Sequence, residues 1–358
     1  MENAAGKKSV CLKVLKMLGE KAIMLANKLE IVDRELEIKR NEAFIYIPLN
    51  HQPSENELNT FRGLLPNCEI SIGVFSERKK RVAFTELLEN RLPPYLLASL
   101  PRAIDFVGDI AIIEIPPELE AYKTLIGEAI LEAHENVETV LAKAGAVSGT
   151  YRLREFSVIA GKPKTETIHK EYGCQFYVDL SKAYFSPRLS YEHNRVASLV
   201  KDGETIIDMF AGVGPFAILI AKTHNVKVYA IDANPCAIEF LQKNIRLNRV
   251  EDKVHPILGD AKQVVEEKLV AVADRVIMNL PEKAIEFVDV ACKAIKPTGG
   301  IIHFYTFVSG SDSLENVKLQ FMERVENFGR KVEEILFSRL VRATAPYEWQ
   351  AVIDAKIL

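Results

Sequence analysis

The stretch Asp208-Met-Phe-Ala-Gly-Val-Gly-Pro-Phe216 follows the apolar run Thr205–Ile207, and its glycines, Gly212 and Gly214, stand one residue apart. A glycine loop between a strand and a helix can cradle a dinucleotide, a phosphate or an adenosine, or can serve packing alone. Pro215 occupies the position where a diphosphate site would offer a helix N–H, and proline has none. Asp208 would repel a diphosphate but suits the cationic methionine end of S-adenosylmethionine. Asp232, in "YAID", lies twenty residues beyond Gly212, where a carboxylate can accept both ribose hydroxyls of an adenosine. Asp260, in "LGDA", is placed for an adenine amino group, and "KPTGG" (Lys296–Gly300) is a turn common in S-adenosylmethionine-dependent methyltransferases. In that order these features point to S-adenosylmethionine rather than a nicotinamide cofactor.

A methyl donor needs an acceptor. "VIMNLPEKA" ends a strand at Asn279-Leu280-Pro281. An asparagine amide offers one acceptor and two donors, enough to hold a nucleobase edge, while the proline stiffens the turn. A capping asparagine at a strand–helix junction would look the same, so this motif gains meaning only beside the cofactor loop.

These residues require a sheet to hold them. From about Tyr191, strand runs at Thr205–Met209, Lys227–Ile231, Val254–Leu258, Arg275–Asn279 and Gly300–Phe307 alternate with helical stretches. Asn234-Pro235 supplies an N-cap and a first-turn proline for a helix to about Leu247. Such alternation predicts a doubly wound, mostly parallel sheet. "KVEEILFSRLV" and "WQAVIDAKIL" predict an antiparallel hairpin at its edge. Upstream, residues 82–190 read as an α+β middle domain, with strands in "IDFVGDIAIIEI" and "QFYVDL" around a helix from Ala121 to Lys143. Residues 1–76 read as a small α/β module: a helix through Val14, Leu15, Leu18, Ile23, Leu25 and Leu29, then strands in "AFIYIPL" and "EISIGVF". A polar linker at 77–81 separates the two, and the catalytic domain spans 191–358.

With 358 residues, 48% hydrophobic and 27% charged, two or three folded domains are expected. No stretch approaches the roughly 18 uncharged apolar residues of a membrane span. The opening Met1-Glu2-Asn3 leads into no continuous apolar run, so a cytoplasmic protein is expected. Cys11, Cys68, Cys174, Cys236 and Cys292 are scattered without a C-x-x-C pair, which fits a reducing compartment and gives no metal framework. The net charge is −3, yet residues 151–200 carry eight Lys/Arg against five Asp/Glu. One such cluster is ordinary solvated surface; beside a nucleobase site it could grip phosphate.

The set "YRLREF", "YFSPRL", "DMFAGVGPF", "AIDANP" and "MNLPEKA" closely resembles the archaeal and eukaryotic tRNA methyltransferases that modify N1 of guanosine 37. The likeness runs from about Tyr151 to the C-terminus and is looser over 1–150, which match the archaeal three-domain layout. It implies a Rossmann-like class I methyltransferase domain, S-adenosylmethionine as cofactor, and tRNA as partner, gripped at the anticodon stem-loop and, by the N-terminal module, at the outer corner. A monomer is expected. Guanine N1 carries a proton at neutral pH, so methylation needs a base, and its removal pushes charge onto O6. The resemblance assigns the base to Glu192 and the O6 donor to Arg152, with Arg154 as its neighbour and Asn279 on the base edge. The cofactor set is then Asp208, Phe210, Gly212, Gly214, Asp232, Asn234, Asp260, Asn279 and Pro281, with Tyr184 and Arg188 at the rim. The substrate set is Arg152, Arg188, His193 and Asn279. His193 departs from the family, which commonly has arginine there. Other activities stay open: aminocarboxypropyl transfer, or carbon-7 methylation of a wyosine precursor, at the same nucleotide. A nicotinamide oxidoreductase and a tRNA-binding module without catalysis fit the motifs less well.

Overall fold

The computed structural model describes residues 6–78, 82–145, 149, 151–310 and 313–358, so most of the expected linker, at 79–81, lies outside the described residues. The chain divides into two compact units, Met1–Val82 and Ala83–Leu358. In the first, β1 (Lys7–Leu15), β2 (Lys39–Arg40), β3 (Phe44–Pro48) and β4 (Glu69–Phe75) form an antiparallel sheet in the order β2-β3-β1-β4. Helices α1 (Gly19–Lys28) and α2 (Glu55–Leu64) pack Ala22, Ala26 and Phe61 against Leu12, Val14, Ile45 and Ile47. A capping box between Ser54 and Glu57 starts α2. The helix expected from Val14 begins only at Gly19. Val14 and Leu15 end β1, where burying every second residue, Leu12 and Val14, is a strand period.

The second unit opens with short helices α3 (Phe84–Leu88) and α4 (Pro94–Leu97) and a sheet β5-β6-β7-β8. Its strands are β5 (Asp105–Val107), β6 (Ile110–Ile113), β7 (Thr139–Lys143) and β8 (Phe156–Gly161). The single strand read in "IDFVGDIAIIEI" is a hairpin, turned at Gly108 with φ +56°. The helix expected over 121–143 is α5 (Lys123–Ala133) alone. Beyond it the β-branched run Val137-Glu-Thr-Val140 enters β7, whose first four residues are all buried.

A two-stranded hairpin follows, β9 (Glu166–Glu171) and β10 (Cys174–Asp179), turned at Tyr172 and Gly173, both with positive φ. The large sheet runs β13-β12-β11-β14-β15-β17-β16. Its strands are β11 (Thr205–Asp208), β12 (Lys227–Asp232), β13 (Val254–Leu258), β14 (Arg275–Met278), β15 (Gly300–Ser309), β16 (Val332–Ala345) and β17 (Glu348–Ile357). The first five are parallel; β17 and β16 form the antiparallel edge. Apolar side chains leave both faces of the sheet, as doubly wound burial demands. One face packs on α6 (Ser190–Leu199), α7 (Pro215–Thr223) and α8 (Pro235–Asn248). The other packs on α9 (Ala261–Lys268), α10 (Val288–Ala294) and α11 (Leu314–Asn327).

Two asparagines one turn apart on α8 anchor the hairpin. Asn244 Oδ1 accepts from Tyr177 N at 2.6 Å and its Nδ2 donates to Tyr177 O at 3.0 Å; Asn248 pairs in the same way with Gln175. Asn244 Nδ2 also donates to Val213 O at 3.0 Å, which ties the glycine loop to the same helix.

Candidate active site

Strand order reverses about β11, with β12 on one side and β14 on the other, and there the carboxyl ends open a cleft of about 280 Å³. Gly212 and Gly214 divide two jobs. A Cβ on Gly212 (φ +54°) would find only Tyr184 O, at 3.7 Å, so this backbone faces open space. A Cβ on Gly214 (φ +93°) would come within 2.4 Å of Leu241 Cδ1 and 3.0 Å of Ile218 Cδ1. Gly214 thus seats α7 and α8 against each other, and its neighbours Val213 and Pro215, but not Gly214 itself, line the cleft.

Asp232 accepts from Gly212 N at 2.7 Å and Asn234 N at 2.8 Å, which aims its carboxylate along the cleft wall; burial raises its pKa. Asn234 caps α8 through Cys236 N and donates to Lys182 O at 2.7 Å. Its amide is committed to the protein, so it shapes the cleft by position. Asp260 lines the cleft while its Oδ1 caps α9. Phe210, edge-on to Phe287 with centroids 5.1 Å apart, and Pro281 supply apolar walls. Tyr184 stands at the rim.

Among the described residues, fully buried Asp208 has no side-chain or ion-pair partner; the backbone N–H of Phe210 is the group that favours its charged form. Burial, with a smaller push from the Asp232 charge, drives its pKa up to about 7. A carboxylate left without a counter-charge beneath a cofactor loop matches the ammonium of S-adenosylmethionine. The donor set therefore fits that cofactor: Asp208 for the amino-acid end, Gly212 for close approach, Asp232 for the ribose.

On the acceptor side, Asn279, Arg152 and Glu282 line the same cleft. Arg152 is held at φ +56°, and its guanidinium lies 5.3 Å from the Tyr184 ring centroid. Its Nη1 is 3.3 Å from Glu282 Oε1 yet makes no hydrogen bond there. Arg154 and Arg188 line a neighbouring cavity that shares Arg152, Tyr184 and Arg342 with the first. Arg188 makes a two-pronged pair with Asp105, including Nη2–Oδ2 at 2.9 Å, so it ties β5 to the turn before α6, and it lines this second cavity rather than the first. The basic stretch is largely neutralised from within. Lys162, Lys164, Lys182, Arg188 and Arg195 all have ion-pair partners, and Arg152 has Glu282. Of the eight cations, Arg154 and Lys170 alone lack one among the described residues.

The expected base, Glu192, is not on the cleft. Opposed residues of β15 and β17 share a face: Phe307 with Gln350, Tyr305 with Val352, His303 with Asp354. Helix α6 lies over this ladder, with Glu192 bonded to Tyr305 and Arg195 to Asp354. The cleft is lined at the level of Phe307 and Gln350, one pleat (about 7 Å) higher. Glu192 is 1% exposed, and its oxygens take Tyr305 Oη at 2.9 Å, Arg195 Nε at 2.9 Å and Arg339 Nη2. Charge-assisted bonds from two guanidiniums hold it as a buried, paired carboxylate. Its neighbour His193 does reach the cleft. The His193 Nδ1 is 2.6 Å from Glu171 Oε1, and its ring packs edge-on to Phe216 at 4.6 Å. In the tautomer that places the proton on Nδ1, that N–H donates to Glu171 and Nε2 carries the ring's lone pair.

Gln350, Arg342, Phe307 and Glu171 were not anticipated. Arg342 and Gln350 come from the two strands read only as an edge hairpin, Phe307 from the end of a strand read as part of the parallel sheet, and Glu171 from the unread strand β9. The alternation that placed those strands also gave each an inward face, but nothing local marks which inward residue reaches a strand's carboxyl end.

Residues 167–335 match the family model of the TRM5/TYW2 methyltransferase domain, 84–165 that of the TYW2 N-terminal domain, and 11–57 that of the tRNA methyltransferase 5 N-terminal domain. The chain is 41% identical over 330 residues to tRNA (guanine(37)-N(1))-methyltransferase Trm5b of Pyrococcus abyssi, covering 92% of this chain and 93% of that one. It is 35% identical to Trm5b of Methanocaldococcus jannaschii over 97% of this chain and 98% of the relative. Among solved structures, the complex of aTrm5 with tRNALeu matches with a TM-score of 0.67 at 34% identity, over 98% of this chain and 100% of the other. With this identity sustained along nearly its whole length, the chain belongs to the TRM5/TYW2 family of methyltransferases.

Proposed function

We propose that this protein transfers the methyl group of S-adenosylmethionine to N1 of guanosine 37 of tRNA. One observation carries the reading: a buried carboxylate without a counter-charge, Asp208, ends β11 directly before the loop whose residues Met209–Gly212 line the cleft, and that cleft also holds an amide, Asn279, and a guanidinium, Arg152. The first suits a cationic methyl donor, the other two a purine edge that gains negative charge. When bound, the cofactor supplies an electrophilic methyl group. The protein's part is to hold the purine in plane by Asn279, to place Arg152 opposite O6 as charge develops there, and to remove the N1 proton.

Glu192 is proposed as the proton acceptor. It lies one pleat beneath the cleft floor, and Arg339, 35% exposed on the edge strand, is the partner it would release. His193, which is on the cleft with Glu171 behind it, is the second reading for that step. The purine reaches the cleft flipped out of the anticodon loop, with the cavity around Arg154 and Arg342 beside it. Division into an N-terminal module (1–76), a middle domain (82–190) and a catalytic domain (191–358) belongs to the same reading. So do contact of the module with the outer corner of tRNA, a monomeric state and a cytoplasmic location.

Incubation with labelled S-adenosylmethionine and a tRNA transcript carrying guanosine 37 tests the assignment. Label in 1-methylguanosine, absent with an adenosine 37 transcript, is expected; no transfer overturns it. The match of residues 84–165 to a TYW2 N-terminal model favours one alternative, aminocarboxypropyl transfer to the same nucleotide. The mass of the product nucleoside separates the two.

A further inference from the structure

We infer that Arg342 and Gln350 set the orientation of the Asn279 amide and make it a donor toward the acceptor base, so that this relay favours guanine over adenine; the inference rests on the reading above. Arg342 on β16 and Gln350 on β17 are register partners, and Asn279 follows the end of β14. Arg342 Nε donates to Gln350 Oε1 at 3.0 Å, and Gln350 Nε2 donates to Asn279 Oδ1 at 3.2 Å. A guanidinium has no acceptor lone pair. It therefore fixes which end of Gln350 it meets: the oxygen. The nitrogen of Gln350, which is 2% exposed, must then face Asn279 and can meet only its oxygen. Two amides, each free in principle to flip, are set in sequence by one residue that cannot.

The consequence falls on the cleft. With Oδ1 engaged, Asn279 turns Nδ2–H toward the bound base and seeks an acceptor. Beside N1, guanine presents the O6 carbonyl, and adenine presents an amino group that donates. A donor meeting a donor leaves a buried polar contact unmade, and that loss is what discriminates strongly between isosteric substrates. Neither Gln350 nor Arg342 need touch the reacting atoms; both are positioning residues.

Gln350→Glu in the full-length protein tests the relay, because a carboxylate at this position keeps the pair with Arg342 but has no proton for Asn279 Oδ1. The expected result is a fall of about tenfold or more in kcat on guanosine 37 transcripts. The KM for S-adenosylmethionine is expected within about threefold of wild type, and the guanosine-to-adenosine preference is expected to narrow. Unchanged kcat and preference overturn the inference. Arg342→Glu is the second variant: an acceptor there reverses both amides, and Arg342→Lys, donor-only again, should recover most of the loss. Side-chain amide exchange by NMR reads the relay without substrate. Gln350 Nε2 protons should be protected and those of Asn279 Nδ2 should exchange quickly. The opposite pattern overturns the relay even if methylation occurs, whereas the expected pattern with no methyl transfer by wild type overturns the function alone.

Discussion

Glu282 Oε1 stands 3.3 Å from Arg152 Nη1 at the cleft wall, so the arginine expected to meet guanine O6 has an acidic neighbour. Glu282 is half-exposed, and such pairs are worth about 1 kcal/mol or less. Glu282→Gln should therefore change kcat/KM by less than about fivefold. Arg152→Ala removes a donor aimed at a developing anion and should lower kcat by about 10²–10³. Steady-state methylation of a guanosine 37 transcript measures both. Equal losses in the two variants would make the pair, not the arginine alone, the working unit.

Asp208 gives a pH dependence with a definite sign. Its folded pKa lies near 7, above the ordinary carboxylate value of 3.8, because burial disfavours the charge. Folding thus binds this proton more tightly, and the associated stability is complete below about pH 4 and is lost as pH rises toward 7. The difference is on the order of 4 kcal/mol. An ammonium placed beside Asp208 favours the ionised form, so S-adenosylmethionine should bind more tightly at pH 8 than at pH 6. Calorimetric titration of wild type and Asp208→Asn is the check. The variant should bind weakly and lose the slope; a wild-type affinity flat between those pH values would count against the Asp208 contact.

The parallel sheet was legible because its strands are short, mostly apolar runs alternating with helical stretches, several followed by a loop of particular chemistry, as at Ile206-Ile207-Asp208. Asp232 could be placed for the same reason, since it ends a strand at a fixed distance from Gly212. Gly212 and Gly214 could not be told apart, because their difference lies in Leu241 and Ile218, side chains on other turns of the fold. The position of Glu192 relative to the cleft could not be read. Its helix was readable, but which side of α6 faces Tyr305 and which faces the cleft depends on how α6 settles on strands more than a hundred residues away. Strand β9 was missed because its pattern buries only Thr167 and Glu171 fully and exposes three other residues.

Removing the N1 proton separates the two neighbours on α6. If Glu192 is the acceptor, Glu192→Gln should reduce kcat by about 10²–10⁴ while calorimetry shows unchanged binding of S-adenosylmethionine. Thermal unfolding belongs in the same experiment, since the substitution also removes a charge from between Arg195 and Arg339. His193→Asn should then cost less than about tenfold. The reverse ranking assigns the proton to His193 and leaves Glu192 as the buried counter-charge for two arginines.

Gly212 and Gly214 should fail in different ways when each is given one methyl group. At Gly214 the new Cβ would meet Leu241 Cδ1 at 2.4 Å with φ at +93°, so Gly214→Ala combines a clash with backbone strain. A loss of about 2–4 kcal/mol is expected, visible as a lowered Tm in the absence of cofactor. At Gly212 the Cβ finds space, with its nearest neighbour at 3.7 Å, and φ of +54° is a conformation that alanine adopts at about 1–2 kcal/mol. That Cβ would point into the volume where the cofactor must approach the backbone. Gly212→Ala should therefore keep most of its stability and lose affinity for S-adenosylmethionine by an order of magnitude or more. If Gly212→Ala unfolds first and Gly214→Ala binds cofactor poorly at full stability, the division of labour between the two glycines is the reverse of the one drawn from their surroundings.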